Sequence, residues 1–142
     1  MKVKPINEEV RFEDVNPTER PVVSKTDIRG IITYTNSMFR ALSCYEKGEM
    51  VGRPHNIVRH PDMPKKVFEE MWDTILNSKK WSGIIKNLRK DGRYYWVEAF
   101  IEPIFDESGK IMGFVSARRK VSDEVKREYE KLYKKMREEE NK

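Results

Sequence analysis

The residues best equipped for chemistry lie in one short stretch, "PHNIVRHPDMPKK", Pro54 to Lys66. It holds both histidines of the chain, His55 and His60, and sets Arg59, His60 and Asp62 almost side by side. Imidazole and carboxylate can ligate a metal, a histidine can move protons, and an arginine fork can hold a phosphate or carboxylate. Cys44 adds a thiol, but the spacing of Cys44, His55, His60 and Asp62 matches no standard zinc motif. No nucleophile elbow, phosphate loop or paired-carboxylate motif occurs, so the expectation is a protein that is not an enzyme. Pro61 and Pro64 give the stretch a second, purely structural reading. It would be the start of a helix, with Asp62 as N-cap and Pro64 in the first turn.

Something must position these groups. The chain has 142 residues, enough for one domain with an added helix. Its aromatic share of 11% supplies buried area that a disordered chain lacks. The net charge of +5 permits an acidic partner without pointing to nucleic acid. The single cysteine excludes an internal disulfide and fits a reducing, cytoplasmic setting. No window approaches the roughly 18 apolar residues of a membrane span, and "MKVKPINEEV" lacks a signal-peptide core.

Residues 1–20 read as a polar N-terminal arm with a short helix around Glu8 to Asp14. "VVSKTDIRGIITYTN" reads as a hairpin turning at Asp27 to Gly30, and Asn36 caps a short helix after it. From Met63 to Leu76 apolar residues recur at helical spacing. "WSGIIKNLRK", "RYYWVEAFIEPIF" and "KIMGFVSARRK" then read as three strands, joined at Asp91-Gly92 and Ser108-Gly109. Pro103 marks a bulge or an edge late in the middle strand. In that strand Val97, Ala99 and Ile101 would leave room on one face, while Tyr94, Trp96 and Phe100 cover the other. From Ser122 a charged helix follows, with Val125, Tyr129, Leu132 and Met136 in a heptad-like seam. That seam suits a coiled coil or a helix docked on its own domain. The expected fold is α+β: a five-stranded antiparallel sheet with helices on one face, divided as arm 1–20, folded domain 21–121 and C-terminal amphipathic exit helix 122–142.

This order of elements resembles a PAS domain. "GRPHNIVRHPDMPKKVFEEMWDTI" together with "WSGIIKNLRKDGRYYWVEA" is similar to the flavin-binding PAS sensor of bacterial aerotaxis receptors, over about Val22 to Asp123. The resemblance implies FAD as cofactor and a redox or oxygen-linked energy signal passed to a chemotaxis receptor or signalling domain, in cis or in trans. It implies that Asn36, Arg59, His60, Asp62, Phe68, Trp72, Trp81 and Asn87 shape or contact the flavin pocket. A related family of light sensors also binds flavin and forms an adduct with a cysteine. Here that neighbourhood reads "HNIVRH", so no adduct is expected. Arg118 takes the place of their last-strand glutamine, where a guanidinium would favour an anionic reduced ring.

The residues suit these roles. An asparagine such as Asn87, facing a core, costs about 1–3 kcal/mol without partners, so a polar ligand is one answer. Trp72 and Phe68 can wall a flat ring, and Arg59 can grip a phosphate. FMN, haem held by His55 or His60, and a cofactor-free interaction module remain alternatives. A homodimer through the sheet face or the terminal helices is a further reading of the surface.

Overall fold

The computed structural model describes residues 2–142. Five antiparallel strands form one sheet in the order β2-β1-β5-β4-β3. These are β1 (Val22–Asp27), β2 (Ile32–Thr35), β3 (Trp81–Leu88), β4 (Tyr94–Phe105) and β5 (Ile111–Arg119). The helices are α1 (Phe12–Val15), α2 (Ser37–Ser43), α3 (Lys65–Leu76) and α4 (Asp123–Glu140), with a 3₁₀ turn at His55–Val58.

Local chemistry explains the boundaries. Asn36 caps α2: its Oδ1 accepts from the Phe39 and Val23 amides, and its Nδ2 donates to the Pro21 carbonyl. Ser122 caps α4 by accepting from the Val125 amide. Gly92 and Gly109 close the last two hairpins with positive φ, as expected of such turns. The irregularity anticipated at Pro103 lies one residue on, as a register shift between Ile104 and Phe105. The short N-terminal helix starts later than its sequence suggests, at Phe12, and α3 starts at Lys65.

The sheet has two different faces. One carries Ser24, Ile85, Asn87, Val97, Ala99, Ser116 and Arg118 and is roofed by α3 and the 3₁₀ turn. On the other, the Trp96 ring stacks on Tyr133 of α4 at 6.4 Å, and Tyr94 pairs with Glu9 of the arm. Lys86, only 3% exposed, lies 4.2 Å from the Tyr94 ring centroid and is bonded to Asp62 and Glu130. Tyr94 and Trp96 therefore pack under their own arm and exit helix, whereas Phe100 is 36% exposed beside the Arg119 guanidinium.

That docking corrects the seam read for α4. Tyr133 is buried and Leu132 is 43% exposed, so the inward stripe runs through Val125, Tyr129, Tyr133 and Met136. The far end of α4 reaches α3. Glu140 accepts from the Lys65 and Lys66 amides at 3.1 and 3.0 Å, and Arg137 donates to the Asp62 carbonyl. The N-cap residue of α3 is Pro64, which has no side-chain cap. Asp62 is therefore not the cap; its carboxylate is engaged by Lys86, and Glu140 does the capping from 75 residues away.

Candidate functional site

Between the sheet and α3 lies a cavity of about 330 Å³. Its floor carries small side chains, Ser24 and Thr26 on β1, Ala99 on β4 and Ser116 on β5, among larger ones such as Ile85, Ile101 and Phe114. Its roof is Phe68, Met71, Trp72 and Ile75, successive inward positions of α3. Trp72 is wedged between Phe114, ring to ring at 5.6 Å, and the backbone of Gly30. A Cβ at Gly30 would stand 3.0 Å from that indole, and the residue's φ of +87° disfavours a side chain as well.

Charge is concentrated at one end of the floor. Arg118 is 7% exposed, yet no carboxylate pairs with it among the described residues. Its Nη2 donates to Ser24 Oγ at 2.8 Å and approaches His55 Nε2 at 2.9 Å, and its guanidinium lies 4.0 Å from the Phe39 ring centroid. An arginine N–H can only donate, so Nε2 is the bare nitrogen of a neutral His55 whose proton sits on Nδ1. Burial, then the charge of Arg118, pushes the His55 pKa down to about 3. Burial likewise lowers Arg118 to about 10, still charged at neutral pH. Asn87 faces the same space. Its one side-chain bond is long, Nδ2 to Tyr95 Oη at 3.4 Å, which leaves its carbonyl for another partner. Burial raises the Tyr95 phenol to about 12, so it stays protonated.

Five of the nine residues singled out in the sequence line this cavity: Arg59, Phe68, Trp72, Asn87 and Arg118. Asn36, His60, Asp62 and Trp81 do not. Asn36 is spent on capping α2. The Trp81 ring folds back over Gly83, where an added Cβ would lie 2.4 Å from it. His60 and Asp62 are turned away for a reason of parity. Arg59 forms an antiparallel bridge with Asn87, so the segment lies along the open edge of β3 as an extended backbone. Neighbours on such a backbone point to opposite faces. The Arg59 guanidinium goes to the cavity mouth, 3.8 Å from the Phe68 centroid. His60 goes to the outer face, edge-on to Tyr94, and its Nδ1 accepts from the Asp62 amide at 3.0 Å. Burial and then Lys86 lower His60 to about 4. Asp62 pairs with Lys86 at 3.0 Å rather than with Arg59. Burial alone would raise the Asp62 pKa, but the Lys86 bond and charge outweigh it and the pKa falls.

His55 is the cavity residue whose role the sequence did not disclose. Its partners lie 31 and 63 positions away, at Ser24 and Arg118. A second groove of about 380 Å³ shares Asn56 and Arg59 with the first. It is lined by Lys2, Arg53, Lys90 and Tyr45 among others, with Val3 and Pro5 of the arm along it. Among the described residues no group of three metal-ligating side chains converges, and no helix is long and apolar enough to cross a membrane.

Known proteins share this architecture. The family model described as the PAS fold matches residues 32–118. The aerotaxis receptor of Escherichia coli strain K12 is 47% identical over 113 residues, covering 80% of this chain and 22% of the receptor. The chain spans about a fifth of the length of the curated relatives it matches. Among solved structures, the PAS domain of a Colwellia psychrerythraea protein is 27% identical with a TM-score of 0.61, covering 71% of this chain and 86% of that one. A light-oxygen-voltage domain studied with a flavin analogue is 25% identical with a TM-score of 0.66, covering 88% and 90%. With a family match that runs from β2 through the roof helix to β5, and 47% identity to an aerotaxis receptor, the chain belongs to the PAS family of sensor domains.

Proposed function

We propose that this PAS domain binds FAD in the cavity under α3 and reports redox or oxygen-linked energy state to a chemotaxis signalling partner. The observation that carries the reading is Arg118: a buried guanidinium, with no carboxylate partner, on the floor of a cavity. An unpaired buried charge is costly, and a ligand with electron-rich oxygens and nitrogens offsets that cost. The rest of the lining fits a flavin ring. The Trp72 and Phe68 rings offer apolar walls, Ala99 and Ser116 leave depth, and Asn87 presents an amide to a heterocycle's edge. About 330 Å³ falls within the roughly 300–1,000 Å³ usual for ligand pockets.

The adjoining groove favours FAD over FMN. Arg53, Arg59 and Lys2 face it with no carboxylate partner among the described residues, whereas Lys90 is paired with Glu49. Three unpaired cations beside the mouth suit a pyrophosphate and the nucleotide beyond it. Haem is less well served, because His55 Nε2 already accepts from Arg118.

A bound flavin supplies reversible electron transfer. The chain's part is to hold it, exclude water and carry its state outward. Asn87 and Arg118 sit where they feel a change at the ring edge, and Arg59, bridged to Asn87, joins the cavity to His60, Asp62 and the end of α4. Residues 122–142 serve as the signalling helix, residues 1–20 as a cap and 21–121 as the sensor. The kinship with an aerotaxis receptor supports chemotaxis output and a cytoplasmic-side location.

The test is the visible spectrum of protein expressed with flavin supplementation. Bands near 370 and 450 nm, roughly the range of oxidised flavin, with FAD rather than FMN released by heat, are the expected result. A Soret-type band would replace the reading with haem, and a colourless folded protein would replace it with an interaction module.

A further inference from the structure

We propose that the last turn of α4, Arg137 to Glu140, is a latch on the mouth of the cavity, and that its opening sets how fast the ligand enters and leaves. The identity of that ligand rests on the flavin reading above; the latch is a property of the chain itself.

The mouth lies at the start of the roof. Phe68 is the first residue of α3 to line the cavity, and it belongs to the helix's first turn. It is half-buried, with the exposed Arg59 guanidinium against its ring at 3.8 Å. Asn56 and Arg59 line both the cavity and the second groove, so this rim is where the two spaces meet. A ring system that enters from the groove must displace Phe68, and Phe68 moves with the turn that carries it.

That turn is weakly held by its own sequence. Farther along α3, Met71 and Ile75 are buried and anchor the helix to the core. At the start, Pro64 provides no side-chain cap, and no acidic residue sits in the first turn. Two of the orphan amides there, those of Lys65 and Lys66, find their acceptor only in the Glu140 carboxylate, at 3.1 and 3.0 Å. Just ahead of the helix, the Asp62 carbonyl accepts from Arg137 Nη1. Arg137 and Glu140 are three positions apart and share one face of α4. They grip a carbonyl and then two amides that are likewise about one turn apart. Glu140 also sets a negative charge at the positive end of α3.

The grip is polar and local. Tyr133 is the last fully buried residue of α4, so the final turn is kept in place by these bonds and can open while the rest of the helix stays docked. The effect is kinetic. The closed roof dominates with or without Glu140, so loss of the latch speeds entry and exit together and leaves their ratio alone.

The test follows FAD release from the purified domain by the rise in flavin fluorescence on dilution, together with FAD uptake by the stripped domain and its equilibrium Kd. Glu140→Ala should release FAD about fivefold faster, roughly the factor that a lost helix cap is worth. Adding Arg137→Leu should raise this to about tenfold or more, with uptake faster by a similar factor and Kd within about twofold of the parent. Ser122→Ala removes the cap at the other end of α4 and should leave release unchanged. A double variant that releases FAD within about twofold of the parent overturns the proposal. So does a Kd that weakens in step with release, which would make the two residues holders of the ligand. Release from Ser122→Ala as fast as from Glu140→Ala also overturns it, because the whole helix would then be undocking. Glu140→Ala alone carries the test if the double variant does not fold. Amide exchange reads the latch without the ligand: Lys65 to Phe68 should exchange at least about fivefold faster in the variants, with Met71 to Leu76 unchanged. Equal exchange at Lys65 to Phe68 overturns the latch. A parent protein that carries no FAD refutes the function proposed above, and the exchange result then decides the latch by itself.

Discussion

Acidification between pH 7 and pH 5 should unfold this domain more readily than its carboxylates explain. His55 and His60 have pKa values lowered to about 3 and about 4, each chiefly by burial. In the unfolded chain both return to about 6.5. The folded state therefore refuses protons that the unfolded state accepts. Stability is full above about pH 6.5 and falls as the pH drops toward the folded values. Each histidine contributes a slope approaching about 1.4 kcal/mol per pH unit, so the pair removes about 3 kcal/mol between pH 6.5 and pH 5. That is a large share of a total stability of about 5–15 kcal/mol. Asp62, whose pKa is lowered, adds its own loss only below the ordinary carboxylate range of about 4. Urea midpoints by circular dichroism at several pH values, for the parent, His55→Gln, His60→Gln and the double variant, measure the effect. Each replacement should remove about one proton from the slope. A parent slope below about 0.5 kcal/mol per unit, or an equally steep double variant, refutes the assignment of two neutral buried histidines.

Ala99→Phe should fill the cavity floor, giving a colourless protein that unfolds within about 2 kcal/mol of the parent; cofactor content and a urea curve check both halves. Asn36→Ala should cost about 1–2 kcal/mol through the lost cap of α2, while flavin bound per folded molecule stays unchanged, because Asn36 lies outside the cavity. Glu140→Ala should cost about 1 kcal/mol by uncapping α3, and amide exchange at Lys65 and Lys66 should speed up more than exchange in the strands.

The elements were legible because their signals are local. Asn36 and Ser122 cap what they precede, Asp91-Gly92 and Ser108-Gly109 turn the chain, and the alternation of Val97, Ala99 and Ile101 with Trp96 and Phe100 assigns the two faces of β4. The cavity was legible in part. Trp72 and Asn87 lie on regular elements whose period fixes their direction, and both face it. Arg59, His60 and Asp62 read as one cluster in sequence, but their segment pairs with the β3 edge and deals them to opposite faces. That pairing is tertiary and leaves no local trace. His55 was hidden for the same reason, since Ser24 and Arg118 give it meaning from two other strands. Asp62 had the composition of an N-cap, and Lys86 and Glu140 changed the outcome from far along the chain.

The carboxylate that reaches from α4 to the start of α3 also has a bearing on the order in which the chain matures. Lys65 and Lys66 leave the ribosome about 75 residues before Glu140 does. A helix of 12 residues is marginal before its apolar face is covered, and its first amides have no side-chain cap of their own. During synthesis the roof of the cavity stays frayed at its leading end until β3, β4 and β5 have assembled and the final helix has wrapped back. Until then that end of the cavity stands open, and the docking of α4 is what closes it.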